Sequence, residues 1–167
     1  MTLCIAHRDG WIVADTRSTS GNEMSPFELE PIRKVKKIPN VAVIGTAGDT
    51  GVFQRFEKSV WDLDNDSVIR ELAAALKATG MDAQLLVTTS RKELVFIANN
   101  GVAFPLQPSQ QWWAIGSGRD FAKGWMCAQE YCKVPITRAD AIDCIAQASR
   151  FDTCINADRV AYEDLRY

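Results

Sequence analysis

The first group in this sequence able to do chemistry by itself is the threonine at position 2. Once Met1 is removed, Thr2 carries a nucleophilic hydroxyl and, on the same residue, a free α-amine that can accept the hydroxyl proton. The reference pKa of such an amine is about 7.7–8.0, so a small depression makes it a usable base near neutral pH. Two further groups would help. Asp15 opens a run of small hydroxyl residues, Thr16-Arg17-Ser18-Thr19-Ser20-Gly21, and Lys34 lies in Ile32-Arg33-Lys34-Val35. A lysine held by an aspartate beside an amine and a hydroxyl favours their deprotonated forms by charge repulsion and hydrogen bonding. Gly48, ahead of an apolar helical pattern, can offer a backbone N–H where an oxyanion would develop. Taken singly, each is ordinary: many chains have Thr second, and Asp15 with Lys34 equally describes a surface ion pair.

Bringing these residues together requires particular elements. Residues 3–6 and 11–14 (LCIA and WIVA) are short apolar runs around His7-Arg8-Asp9-Gly10, whose Asp-Gly pair signals a hairpin. That hairpin puts Thr2 and Asp15 side by side at its open end. Residues 41–46 (VAVIGT) read as a buried strand, followed by a helix with Val52, Phe53, Phe56 and Val60 at helical spacing. A second helix runs from an Asp66/Ser67 cap to Gly80. Residues 84–89, 93–98 and 111–115 are strand-like, and the loop between the last two contains Pro105 and Pro108. A third helix is predicted with Phe121, Trp125, Ala128 and Cys132 on its apolar stripe. A fourth opens at Thr137, with Asp140 completing a capping box. A strand pair near 153–156 and 159–163 closes the chain, and residues 20–32, with Pro26 and Pro31, read as loop. Strands and helices come in groups, which is the order of an α+β fold and not of a doubly wound sheet.

Five short motifs carry a resemblance. Thr2 to Ala6, Asp15 to Gly21, Lys34-Val35, Gly45 to Gly48 (G-T-A-G) and Ile115 to Gly118 (I-G-S-G) occur in the order and at nearly the spacing of the proteasome β-subunit family, which includes the bacterial peptidase HslV. The sequence resembles that family over nearly its whole length. The resemblance implies an α+β, four-layer α/β/β/α sandwich of the N-terminal-nucleophile hydrolase type, built as one domain over residues 1–167. It also implies a threonine peptidase: Thr2 matches the nucleophile, Asp15 and Lys34 its activating pair, and Gly48 the oxyanion glycine. Ser117 matches the serine that supports the terminal amine, and Asp152 the late aspartate near a helix end. Thr19, Thr46 and Ala47 fall where family members line the substrate channel and first specificity pocket. Homo-oligomeric stacked rings, an AAA+ ATPase unfoldase as partner and peptide or unfolded-protein substrates follow by the same analogy, with no cofactor.

One departure leaves an alternative open. Thirteen positions separate Thr2 from Asp15, a few fewer than is usual in the family, so the hairpin is trimmed. Trimming at the turn keeps Thr2 in place, whereas aligning backwards from the turn puts Met1 at the nucleophile position. A one-residue slip reverses every side chain, and that register describes a catalytically silent ring protein. An amidohydrolase acting on small amides shares the same nucleophile logic and also remains open.

Composition narrows the rest. The 167 residues carry a formal charge of −2 with the signs interspersed, and no basic run would track a phosphate backbone, so nucleic acid is not an expected partner. No stretch of about 18 apolar residues points to a membrane span, and a cytoplasmic location is expected. The five cysteines, Cys4, Cys127, Cys132, Cys144 and Cys154, mostly lie in apolar segments and read as small hydrophobes. A lone histidine, His7, leaves no metal-ligand spacing. Gly116-Ser117-Gly118 lacks the lysine of a phosphate loop. Trp112, Trp113 and Trp125 read as core or subunit-interface residues, and residues 62–66 (DLDND) as a turn into a helix.

Overall fold

In the computed structural model, described for residues 2–16, 19–20, 23–24, 33–49, 51–132, 134–151 and 160–165, the hairpin comes first. Strands β1 (Leu3–His7) and β2 (Trp11–Asp15) pair antiparallel, with Cys4 opposite Ala14 and His7 opposite Trp11. Both strands are buried on both faces, which is why neither alternates polar with apolar residues. At the turn, the Arg8 guanidinium donates to four backbone carbonyls, those of Lys92, Leu106, Gln107 and Gln110, and so latches the hairpin to the opposite part of the chain.

The chain continues through the short pair β3 (Thr19–Ser20) and β4 (Glu23–Met24), then β5 (Val35–Ile38) and β6 (Ala42–Gly48). Helix α1 (Val52–Arg55) is only one turn long. It is followed by a 3₁₀ turn (Lys58–Asp62) and by α2 (Val68–Thr79). The single helix expected over 52–60 is therefore broken. Phe56 adopts an extended backbone, φ −72° and ψ 136°, and Phe53, Phe56 and Trp61 pack against one another with centroids 5.7–6.2 Å apart. Aromatic burial overrides the helical period here. Helix α2 ends at Gly80 in the left-handed conformation, as expected. Its entrance is capped by Asp64 and not by Asp66 or Ser67: Asp64 Oδ1 accepts from the backbone N–H of both Asp66 and Ser67 and from the Ser67 hydroxyl.

Strands β7 (Ala83–Thr89), β8 (Leu94–Ile97), β9 (Ala103–Pro105) and β10 (Trp112–Gly116) follow. Strand β9 lies in what the prolines suggested was loop; it is the outermost strand of its sheet, where a missing N–H is tolerated. Helices α3 (Arg119–Tyr131) and α4 (Arg138–Ala148) lead to β11 (Val160–Asp164). The predicted stripe on α3 is rotated by one position. Ala122 and Met126 are fully buried, Phe121 and Trp125 flank them half-buried, and Ala128 and Cys132 are exposed. Cys127 is exposed as well, so only Cys4 and Cys144 among the four described cysteines behave as buried hydrophobes. The expected strand at 153–156 lies outside the described residues.

The strands form a four-stranded sheet, β10-β1-β2-β11, and a five-stranded sheet, β5-β6-β7-β8-β9, antiparallel throughout. The chain is thus mixed α+β. Three apolar clusters fill it. Leu3, Ile5 and Val13 pack with Ala122, Met126, Cys144 and Ile145 of α3 and α4. Ile44, Leu85 and Val87 pack with Val52, Val68, Leu72 and Leu76 of α1 and α2. Between the sheets, Cys4, Ala6, Ile12 and Ala14 meet Val35, Val43 and Leu86. Contact there is closest at Gly45, where a Cβ would strike the Cys4 sulfur and the Ile12 side chain. Among the described residues, no helix is long and apolar enough to cross a membrane.

Candidate active site

The open end of the hairpin carries the site. Thr2 immediately precedes β1 and is 3% exposed. One residue on, the Leu3 N–H donates to Asp15 Oδ1 at 2.8 Å, across the hairpin. The other oxygen of that carboxylate, Oδ2, lies 3.0 Å from the Lys34 ammonium. Lys34 sits just before β5, in the other sheet, so the pair ties the two sheets together at this end. It is no surface ion pair: Lys34 and Asp15 are 1% and 0% exposed. Burial pushes the Lys34 ammonium below the ordinary lysine range, and the adjacent carboxylate pulls it part of the way back. Cys4 lies in the same buried region. Its thiol is pushed well above the ordinary range, first by burial and then by the Asp15 charge, so it stays protonated and inert.

Thr2 forms part of the wall of a cavity of about 330 Å³. Ala47 and Gly48, at the end of β6, line one side of it, and Gly116 and Ser117, at the end of β10, line the other. Two glycines make this geometry. Gly116 has φ +94°, and a Cβ there would run into the Thr2 carbonyl; Gly48 has φ +102°, and a Cβ would run into the Asp82 carbonyl. Both are left-handed positions that only glycine occupies at little cost. Bare backbone lets β10 close on Thr2 at Gly116 and β6 close on the start of β7 at Gly48.

Six of the residues singled out in the sequence therefore converge: Thr2, Asp15, Lys34, Ala47, Gly48 and Ser117. Thr46 does not line this cavity. Strand alternation puts its side chain on the opposite face of β6 from Ala47, where it is 5% exposed and its Oγ1 is buried with no hydrogen-bond partner among the described residues. Thr19 lies in β3, of which only the backbone is described. Asp152 lies outside the described residues. Four lining residues escaped the sequence reading: Asp82, Gln84, Arg119 and Asp120. The signal available for the first two was the pairing of β6 with β7, which sets Gly48 opposite Ala83. For the others it was their position just after the G-S-G turn.

No family model matches the sequence, and no curated protein matches it either. Solved structures do. Over 98% of its length the chain is similar to HslV from Trypanosoma brucei, with 22% identity, a TM-score of 0.70 and 98% of that chain covered. Over 99% of its length it is similar to BPH from Thiobacillus denitrificans, solved in complex with epoxomicin, with 15% identity, a TM-score of 0.68 and 99% coverage. A Gly-1 mutant of Anbu from Hyphomicrobium sp. strain MC1 gives 13% identity and a TM-score of 0.71, with 97% of this chain and 80% of that one covered. The fold is HslV-like and proteasome-like. Within this proteasome-like fold, the cavity at Thr2 opens where the ends of β6 and β10 approach, and the Lys34–Asp15 pair lies buried beside it.

Proposed function

We propose that this protein is an N-terminal-threonine peptidase. The observation that supports this most is the buried chain of contacts from the Leu3 N–H through Asp15 to Lys34, next to a threonine set in a cavity wall. A buried ion pair is costly to keep and is weak evidence for stability alone, so a role in tuning neighbouring groups accounts better for it. In the proposed reaction Met1 has been removed. The Thr2 hydroxyl oxygen bonds to the carbonyl carbon of a peptide while its proton passes to the Thr2 α-amine. The resulting oxyanion is held by the Gly48 N–H. Collapse breaks the C–N bond, the leaving amine takes the proton, and an ester to Thr2 remains. Water then adds to the ester with the amine as base, releasing the acid and restoring the hydroxyl. Lys34 and Asp15 tune the nucleophile and Ser117 supports the amine. Asp152 completes that support, and Thr19 and Ala47 face the substrate, whereas Thr46 points to the other face of β6 and takes no part.

The arrangement we propose is a four-layer α/β/β/α sandwich of one domain, a reading that the three apolar clusters support. By analogy with HslV, the protein acts in the cytoplasm as a homo-oligomeric assembly of stacked rings. It degrades peptides or unfolded chains delivered by an AAA+ unfoldase. The test is intact mass of the purified protein before and after an epoxyketone probe, with activity and native sedimentation measured on wild type and Thr2→Ala. Loss of Met1, one adduct on Thr2 and inactivity of Thr2→Ala are expected, with sedimentation well above one subunit. Retained Met1 and no adduct would instead favour a silent ring protein, and cleavage of acylated amines but not peptides a small-amide hydrolase.

A further inference from the structure

The cavity at Thr2 is not electrically neutral around its rim. On the wall after β10, Arg119 Nε lies 3.7 Å from Asp120 Oδ1, so cation and anion offset each other. On the opposite wall Asp82 meets no such cation. Its Oδ1 accepts from the neutral amide of Asn99 at 2.9 Å, and no lysine or arginine among the described residues reaches ion-pair distance. Asp49, just outside the lining, stands beside it, its Oδ2 accepting from the Asp82 backbone N–H at 2.9 Å, and adds a second carboxylate next to Asp82. At the floor, Thr2 is 3% exposed and its hydroxyl makes no side-chain hydrogen bond among the described residues. A threonine set in the cavity wall, beside a carboxylate that meets no lysine or arginine among the described residues, is arranged for a ligand that brings both a polar group and a positive charge.

We propose that Asp82, reinforced by Asp49, selects peptides with a basic side chain flanking the bond presented to Thr2. This rests on the peptidase reading above for its catalytic form but not for its binding form. Opposite charges attract across the rim while a lysine or arginine stem lies along the cavity wall. Both carboxylates are exposed, so the preference is modest and screened by salt.

The experiment uses fluorescent peptides identical except for lysine, norleucine or glutamate at each position flanking the cleaved bond. Cleavage is measured with wild type, Asp82→Asn and Asp49→Asn, and binding by anisotropy with Thr2→Ala. At low salt, kcat/KM is expected to favour lysine over norleucine by about two- to fivefold, the range of an exposed ion pair. Glutamate ranks last, and the ratio shrinks in each asparagine variant and at high ionic strength. Asparagine keeps an oxygen for the Asn99 amide or the Asp82 N–H, so both variants retain the local hydrogen bonds. Equal rates for all three peptides, or a lysine preference that survives both substitutions, would overturn the proposal. If no peptide is cleaved, the peptidase reading fails, and the anisotropy decides this one: equal affinity for lysine and glutamate peptides overturns it, a lysine preference upholds it.

Discussion

Lys34 shows how much one side chain can be asked to do. It is almost fully buried, pairs with an equally buried carboxylate and joins two sheets at the end where the cavity opens. Removing the cation breaks a buried ion pair by one partner, which typically costs about 3–5 kcal/mol. Lys34→Met is therefore expected to lower unfolding stability by that order in urea denaturation. Wild-type stability should also depend on pH in a defined sense. In the unfolded chain Lys34 keeps its proton up to about 10.5, whereas burial makes the folded chain release it earlier. Between the folded value and 10.5 the unfolded state binds more protons, so this group makes stability rise with pH. The rise should be missing in Lys34→Met, and a wild-type curve that falls through that window relative to the variant would contradict the assignment. The residue types Asp15 and Lys34 were legible in the sequence. Their burial was not, because it comes from the other sheet closing over the hairpin.

At the scale of elements, local signals carried far where the chain obeys local rules. The Asp-Gly hairpin, the Gly80 stop and the capping box of α4 are all present. The Thr137 hydroxyl accepts from the Asp140 N–H, and the Asp140 carboxylate accepts from the Thr137 N–H at 2.8 Å. Thr137→Ala removes one half of the box and should destabilise the protein by about 1 kcal/mol; no change in the denaturation midpoint would mean that the helix end is held by something else. Reading failed where tertiary packing overrode the period. Phe56 leaves the helix to join an aromatic cluster, and α3 turns Ala122 and Met126 inward in place of Ala128 and Cys132. Packing of Ala122 and Met126 against Leu3, Ile5 and Val13 of the sheet sets the rotation of α3, which the helix's own sequence does not show. The acidic rim was missed for a related reason: Asp82 is unremarkable in sequence, and it matters only because β6 and β7 end together.

Across the whole molecule, the grouping of strands and helices pointed to the fold class, because the five-stranded sheet is built from the consecutive strands β5 to β9, but the four-stranded sheet draws its strands from both ends of the chain. The four-stranded sheet takes β1, β2, β10 and β11, and the antiparallel pairing of Leu3 with Gly116 cannot be seen without it. Those long-range pairings set Thr2 beside Ser117 and Gly48. They also share a property of the contact made by the Leu3 N–H: the links from Leu3 to Asp15 and from Asp15 to Lys34 involve nothing before residue 3. The mounting of Leu3, the residue next to the proposed nucleophile, thus runs through residues 3, 15 and 34. Trimming Met1 should leave the unfolding midpoint where it was, and a midpoint that moves on trimming would show that the terminus bears part of the structure. On the proposed peptidase reading, folding and arming then become separable events: the protein could be made and packed with its trigger covered, and the moment at which it becomes dangerous to other chains would be set by an aminopeptidase.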